Sequence, residues 1–225
     1  MKRERLTRAQ RREQTRECLL EAARKMFVKK GFAATSVEDI AEAAGYTRGA
    51  FYSNFGGKPD LLIRLLRRDD DRARTNLLAM MEKGGTPDEM KDRAIAYYSQ
   101  SIVEHDCFPL WVEAQLLACR DTPFRERINA FRQEKLEQIS AHICMLSERN
   151  GRPLPLQAEA LAVGLVSLCE GVQFFRMCSP QTVSDKVLQT VLAGFFSCVL
   201  SRQPEEPVYD NHRPDVPMGA PWRLI

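Results

Sequence analysis

The chain has 225 residues, with 44% hydrophobic and 28% charged side chains and only 12 Gly and 12 Pro. That composition excludes a disordered, collagen-like or low-complexity chain and leaves room for one large domain or two smaller ones. The net charge of +3 is uneven: residues 1–58 carry 13 Lys+Arg against 7 Asp+Glu, and the remainder is mildly acidic, so one end is suited to a polyanion.

Further classes drop out on local pattern. Lys2, Arg3 and Arg5 are followed by more charge rather than an apolar run, so no secretory leader is expected and the expected location is the cytoplasm. The most apolar stretch, residues 160–169, is about half the length a membrane span needs and ends at Glu170, so no membrane contact is expected. Seven cysteines, odd in number and widely spaced, fit reduced thiols better than a disulfide framework. No metal or cofactor site is expected: no two cysteines stand two residues apart, and the pairs His105/Cys107 and His142/Cys144 point apart on a helix. Neither a HExxH helix, a GxSxG elbow nor a phosphate loop occurs, so no enzyme is expected.

Apolar residues recur at three and four throughout, and no stretch alternates with period two, which predicts an all-α fold. The first predicted helix covers residues 12–30, with Leu20, Ala23 and Phe27 on one face and Gly31 as its stop. Ser36, with Asp39 three residues on, caps a second helix over 37–44 whose Val37, Ile40, Ala41 and Ala44 form one apolar face. Gly45 suits the left-handed position that ends it, and Thr47 caps a third helix over 48–54. Two short helices, a tight turn containing Gly, and the small Ala41 where they cross make a helix-turn-helix.

In that third helix Phe51 and Phe55 point inward, so Thr47, Arg48, Tyr52 and Ser53 face out. A helix of this kind enters the major groove by its N-terminus. Arg48 is placed for a guanine edge or a phosphate, and the hydroxyls of Ser36, Thr47 and Tyr52 suit phosphate oxygens. Lys58, ahead of Pro59, adds a cation beside the next helix N-terminus, and Arg8, Arg11, Arg12 and Arg16 add sequence-independent attraction.

Taken together, Leu19-Leu20-Glu21-Ala22-Ala23, Phe27, Gly31-Phe32, Thr35-Ser36-Val37, Ile40-Ala41, Ala44-Gly45, Gly49, Phe51-Tyr52, Asn54-Phe55, Lys58 and Leu61-Leu62 closely resemble the TetR family of bacterial transcriptional regulators. The resemblance is dense over roughly residues 12–65 and beyond that rests on size and helical character. It implies a homodimer with an N-terminal three-helix domain that binds a double-stranded DNA operator. It also implies a larger C-terminal domain that binds a small-molecule effector and dimerises through its last two long helices, with effector binding releasing the operator. The DNA-facing positions it implies are Ser36, Thr47, Arg48, Gly49, Tyr52, Asn54 and Lys58. Two departures stand out: Tyr46 replaces a small aliphatic residue, and Gly56-Gly57 precedes Lys58, which predicts a flexible joint. An activator, or a regulator working through a protein partner, is the alternative within this class. A helical ligand-binding protein or enzyme with a vestigial helix-turn-helix is the alternative outside it.

The domain boundaries are expected at 1–58, 59–202 and a Pro-rich tail, 203–225. The middle region divides into helices over about 59–83, 87–105, 109–120, 123–149, 155–177 and 181–201, broken at Gly84-Gly85, Asp121-Thr122-Pro123, Asn150-Gly151 and Ser179-Pro180. The charged run from Arg64 to Arg74 is either a coupling hinge or a solvated face. Leu161, Leu165 and Leu168 make one stripe and Val187, Val191 and Phe195 another, each suited either to monomer core or to a two-fold four-helix interface. Tyr98, Trp111, Phe131, Phe174 and Met177, with polar Ser101, Gln115 and Glu170, are candidate walls of a pocket for a hydrophobic or aromatic effector. Glu113 and Glu170 interrupt apolar sequence, as either cation recognition or solvent exposure requires.

Overall fold

The computed structural model describes residues 7–104, 108–151, 153–181 and 183–201. The tail at 203–225, the arm residues Lys2, Arg3 and Arg5, and the side chain of Ser101 lie outside the described residues. Those described form nine α-helices: α1 (Arg8–Lys30), α2 (Val37–Ala43), α3 (Arg48–Tyr52), α4 (Lys58–Met81), α5 (Pro87–Glu104), α6 (Phe108–Ala118), α7 (Thr122–Asn150), α8 (Ala158–Cys178) and α9 (Asp185–Ser201).

Helix ends follow the capping chemistry. α1 starts four residues earlier than predicted, because Thr7 Oγ1 accepts from the Gln10 N–H while the Gln10 side chain accepts from the Thr7 N–H. Ser36 and Asp39 make the same reciprocal pair at α2, and Gly45 follows with φ 73°, a conformation side chains with a Cβ rarely adopt. α3 stops at Tyr52 rather than 54, where the Asn54 N–H turns to the Phe51 carbonyl. Asp121 caps α7 by accepting from the Phe124 N–H at 2.9 Å.

One continuous core joins the N-terminal helices to the rest. Leu19, Ala23 and Phe27 of α1 meet Ile40, Phe51, Phe55 and the first two turns of α4, and the cluster runs on through Leu110 and Ala114 of α6 to Phe124, Ile128 and Phe131 of α7. A smaller cluster of Ile102, Leu188 and Leu192, flanked by Tyr98, Leu168 and Phe196, holds α5 against α9. By length and composition α8 could cross a bilayer, but it packs between α7 and α9 and carries Glu159, Glu170 and Arg176.

The predicted joint and charge run both turn out to be tied down. Gly57 has φ 143°, which calls for glycine, but the Gly56 N–H donates to Asp60 Oδ2 at 3.0 Å, and Asp60 also receives Arg64 and Arg127. Along α4, Arg67 pairs with Glu134 and Asp70 with Lys135 on α7, while Arg68 reaches Glu17 and Glu21 on α1. The run latches α4 to both neighbours through Arg67, Arg68 and Asp70, while Arg64, Asp71 and Arg72 stay exposed.

Candidate nucleic-acid interface and internal cavity

α3 separates its two faces sharply. Phe51 is fully buried and Phe55 nearly so, whereas Thr47, Arg48, Gly49, Tyr52 and Ser53 are all exposed. The separation follows from spacing: 51 and 55 lie one turn apart, and the aromatic core that receives them leaves the opposite side to solvent. Thr47 Oγ1 accepts from the Ala50 N–H at 3.2 Å, which fixes the start of the helix. Tyr52 stands edge-on to Phe51 with its phenol outward.

Arg48 has a partner that sequence reasoning did not anticipate: its Nε lies 2.8 Å from Glu38 Oε1 on α2. Both side chains are exposed, so the pair is weak, but it orients the guanidinium and brings a carboxylate to the candidate reading surface. Ser36 is half-buried, its Oγ accepting from the Asp39 N–H at 3.0 Å.

Two predicted contact residues turn inward. Lys58 Nζ donates to the carbonyls of Phe32, Ala33 and Thr35, and lies over the Phe32 ring. Burial pulls its pKa below the usual lysine value, although the carboxylates of Glu113 and Asp39 oppose the shift. It closes the carbonyl-rich turn between α1 and α2 instead of standing free at the start of α4. Asn54 likewise donates to the Ala50 carbonyl at 2.8 Å and to Ser53 Oγ, closing the end of α3, with its own Oδ1 buried and unpartnered. Nor are all the α1 arginines free: Arg12 Nη2 is 3.4 Å from the Ser53 carbonyl and Arg16 sits over the Phe55 ring.

The family model described as bacterial regulatory proteins, tetR family, matches residues 19–65, which span the end of α1 through the start of α4. The HTH-type transcriptional regulator YuxN of Bacillus subtilis is 30% identical over 156 residues, 68% of this chain and 50% of that protein. The chain thus spans about half the length of that relative. Two solved structures show the same fold. A transcriptional regulator from Saccharomonospora viridis in complex with choline has a TM-score of 0.68 at 19% identity, over 84% of this chain and 100% of that one. FadR from Bacillus subtilis in complex with stearoyl-CoA has 0.66 at 17%, over 81% and 98%. Residues 19–65 thus carry a helix-turn-helix domain of the TetR family.

Beyond that domain an internal cavity of ≈ 190 Å³ lies among α4, α5, α6, α7 and α8. Tyr98, Trp111, Phe131 and Glu170 line it, as the sequence suggests. Gln115, Phe174 and Met177 do not. Phe174 and Met177 are exposed, and Gln115, one turn along α6 from Trp111, has its Nε2 buried and unpartnered. Missed by the sequence reading are the polar walls: Asp69, Asp70 and Arg74 of α4 and Lys135, Gln138 and His142 of α7. Burial holds Cys169 at the cavity as a neutral thiol, its pKa pushed up to about 12, and pushes Tyr97 to about 12. The Tyr97 hydroxyl donates to the Ala73 carbonyl.

α6 connects the cavity to the helix-turn-helix end. Phe108 and Trp111 line the cavity, while Leu110 and Ala114 are buried in the N-terminal core. Between them Glu113 Oε2 accepts from the Phe32 N–H at 2.5 Å, and its other oxygen approaches Gly31 so closely that a Cβ there would meet it at 3.1 Å. Glu113 is therefore neither solvated nor in the cavity: it caps the turn that Lys58 also holds.

The two C-terminal helices correct the stripe assignment. Leu161 and Leu165 are buried, and Leu168 packs with the α5–α9 cluster, so this stripe is monomer core. Phe195 is half-buried against Phe196 and above Gly164. A second apolar stripe faces outward: Val163 and Phe174 on α8, and Val187 and Val191 on α9, all exposed, with open space beside Gly171 and Gly194.

Proposed function

We propose that this chain is a homodimeric transcriptional repressor that acts in the cytoplasm and leaves a palindromic operator when a small molecule enters the cavity. The observation that carries the reading is the outward face of α3, where Thr47, Arg48, Tyr52 and Ser53 stand exposed on a helix anchored from behind by Phe51 and Phe55. Arg48 reads a base edge, with Glu38 holding its Nε so that the two terminal nitrogens point away. Thr47, Gly49, Tyr52 and Ser36 meet phosphates and fix the register. Lys58 and Asn54 shape the surface from behind and do not touch the duplex in this conformation.

The exposed stripe of Val163, Phe174, Val187 and Val191 suits a two-fold interface, with the small Gly171 and Gly194 allowing close approach. Such a dimer presents two α3 helices to half-sites about one helical turn apart or slightly more. The effector signal passes through α6, whose Trp111 faces the cavity and whose Glu113 grips the turn ahead of α2. Neighbours of this fold hold ligands as different as choline and stearoyl-CoA, which supports the cavity as an effector site without naming its ligand.

The test is a selection of bound duplexes from random-sequence DNA, followed by fluorescence anisotropy on the winner. The expected result is a palindromic site bound by a dimer, with affinity falling steeply as salt rises. Failure to enrich any sequence, with the protein folded and dimeric, overturns the reading.

A further inference from the structure

We infer that the cavity takes an organic cation with a compact aromatic body. The inference rests on the cavity being the effector site proposed above, and it comes from the charge balance of the walls.

Three carboxylates line the cavity: Asp69 and Asp70 from α4 and Glu170 from α8. Among the described residues the basic side chains that line it are Lys135, Arg74 and His142, and the first two have carboxylate partners. Lys135 Nζ lies 2.9 Å from Asp70 Oδ1, and Arg74 Nη2 lies 3.0 Å from Asp71 Oδ1. Among the described residues Asp69 has only a loose match and Glu170 none. Oδ2 of Asp69 is buried without a hydrogen-bond partner, and the nearest cation to its other oxygen, Arg68 Nε at 3.8 Å, is attached to a guanidinium that also serves Glu17 and Glu21 on α1. Glu170 lies close enough to Cys169 to help push that thiol upward. Around these carboxylates the lining carries the undissociated Tyr97 and Tyr98, the Cys169 thiol, the amides of Gln138 and Gln173, and His142.

A carboxylate held in apolar surroundings without a counter-charge is costly, and the cost is removed by a ligand that brings a positive charge. Tyr97 and Tyr98, set edge to face, add ring electrons that favour a cation, and an ammonium that keeps its methyl groups asks for no hydrogen-bond acceptor. Trp111 and Phe131, further along the wall, are covered by Arg132 and Arg67 and serve the apolar body rather than the charge. Size agrees: about 150 Å³ accommodates benzene, so ≈ 190 Å³ accommodates a phenyl ring bearing a small ammonium group. Lys135 is committed to Asp70 and Arg74 to Asp71, so an anion is left with the buried, unpartnered Arg74 Nε as its donor, against three carboxylates.

The experiment compares three probes on the full chain by titration calorimetry: benzyltrimethylammonium, its uncharged carbon isostere neopentylbenzene, and phenylacetate. The expected order is cation first, with the isostere weaker by about tenfold or more and the anion not binding, tenfold being about 1.4 kcal/mol. Glu170→Gln, at the edge of the cavity, and Asp69→Asn should each weaken the cation by roughly tenfold and leave the isostere unchanged, with circular dichroism confirming that both variants fold. Equal binding of cation and isostere, preference for phenylacetate, or no binding by any probe overturns the inference. Operator binding is measured separately by anisotropy. A chain that binds its operator but fails the cation test keeps the regulator reading and loses this one. A chain that binds the cation but no DNA does the reverse.

Discussion

The N-terminal helices and the C-terminal pair both put apolar residues on the surface-facing elements of the molecule, but they divide their faces differently. In α3 the apolar side is completely used by the monomer, with Phe51 and Phe55 buried, and the outward side carries hydroxyls and a guanidinium. In α8 and α9 both sides are apolar: Leu161, Leu165, Leu188 and Leu192 are buried, while Val163, Phe174, Val187 and Val191 remain exposed. A helix with one apolar side has finished burying it once the chain folds. A helix with two keeps an apolar side free for a partner, which in the proposed dimer is another copy. Outward polarity therefore suits a surface that meets hydrated phosphates, and outward apolarity suits a surface that meets itself.

Substitutions test this contrast, beginning with the most severe. Phe51→Ala should destabilise the fold by about 3–5 kcal/mol, read as a shift of the urea midpoint, because the vacated site lies in a closed core. Val191→Ala should change monomer stability by no more than about 0.5 kcal/mol. Equal losses in the two variants would erase the distinction between the two helix types. Phe174→Asp combined with Val191→Asp should weaken self-association by about 2 kcal/mol or more, seen as a halved mass in sedimentation, with the far-ultraviolet helix signal intact. Arg48→Ala should cost about 1–3 kcal/mol of operator affinity and relax preference at one base pair in each half-site; a change in salt slope alone would reassign it to a phosphate. Glu113→Gln keeps an acceptor for the Phe32 N–H but removes the charge, so a loss of about 1 kcal/mol in stability is expected, together with a smaller effector-induced drop in operator affinity.

The mildest effect concerns acid. Hydrogen bonds from the Ser36 backbone N–H, the Ser36 hydroxyl and Lys30 hold the Asp39 carboxyl below its ordinary value. Burial opposes ionisation of Asp60, yet the Gly56 N–H, Arg127 and Arg64 outweigh it and lower that carboxyl too. A carboxyl with a lowered pKa in the folded state contributes stability above its unfolded value, near pH 4, and loses it as pH falls through the folded value. The melting temperature should drop on acidification below about pH 4, and the drop should be shallower in Asp39→Asn.

The N-terminal unit was the most legible part of the sequence, because each of its signals is local. Ser36 with Asp39, Gly45, Thr47 and the Phe51/Phe55 spacing each act within one turn, and all of them hold. The start of α1 was missed although Thr7 and Gln10 spell the same capping pair as Ser36 and Asp39; it sits among charges and has no apolar face to announce it. Lys58 and Glu113 were misjudged for a different reason. Their partners, the Phe32 carbonyl and N–H, lie 26 and 81 residues away, and no periodicity points across that distance. The cavity walls were half-legible: aromatics announce themselves, but Asp69, Asp70 and Lys135 look like any exposed charges until α4 is laid against α7. On α8 the stripe beginning at Leu161 and the stripe beginning at Val163 are both regular, so spacing alone could not say which one turns inward.

α6 closes the hydrophobic centre that the first four helices begin, through Leu110, Ala114 and Ala118. A fragment ending within α4 would leave this shared centre with an open seam. Transplanting this reading head onto a foreign sensor would accordingly require α6 to travel with it, and a hybrid cut at the apparent linker would emerge as a sticky, poorly soluble polypeptide.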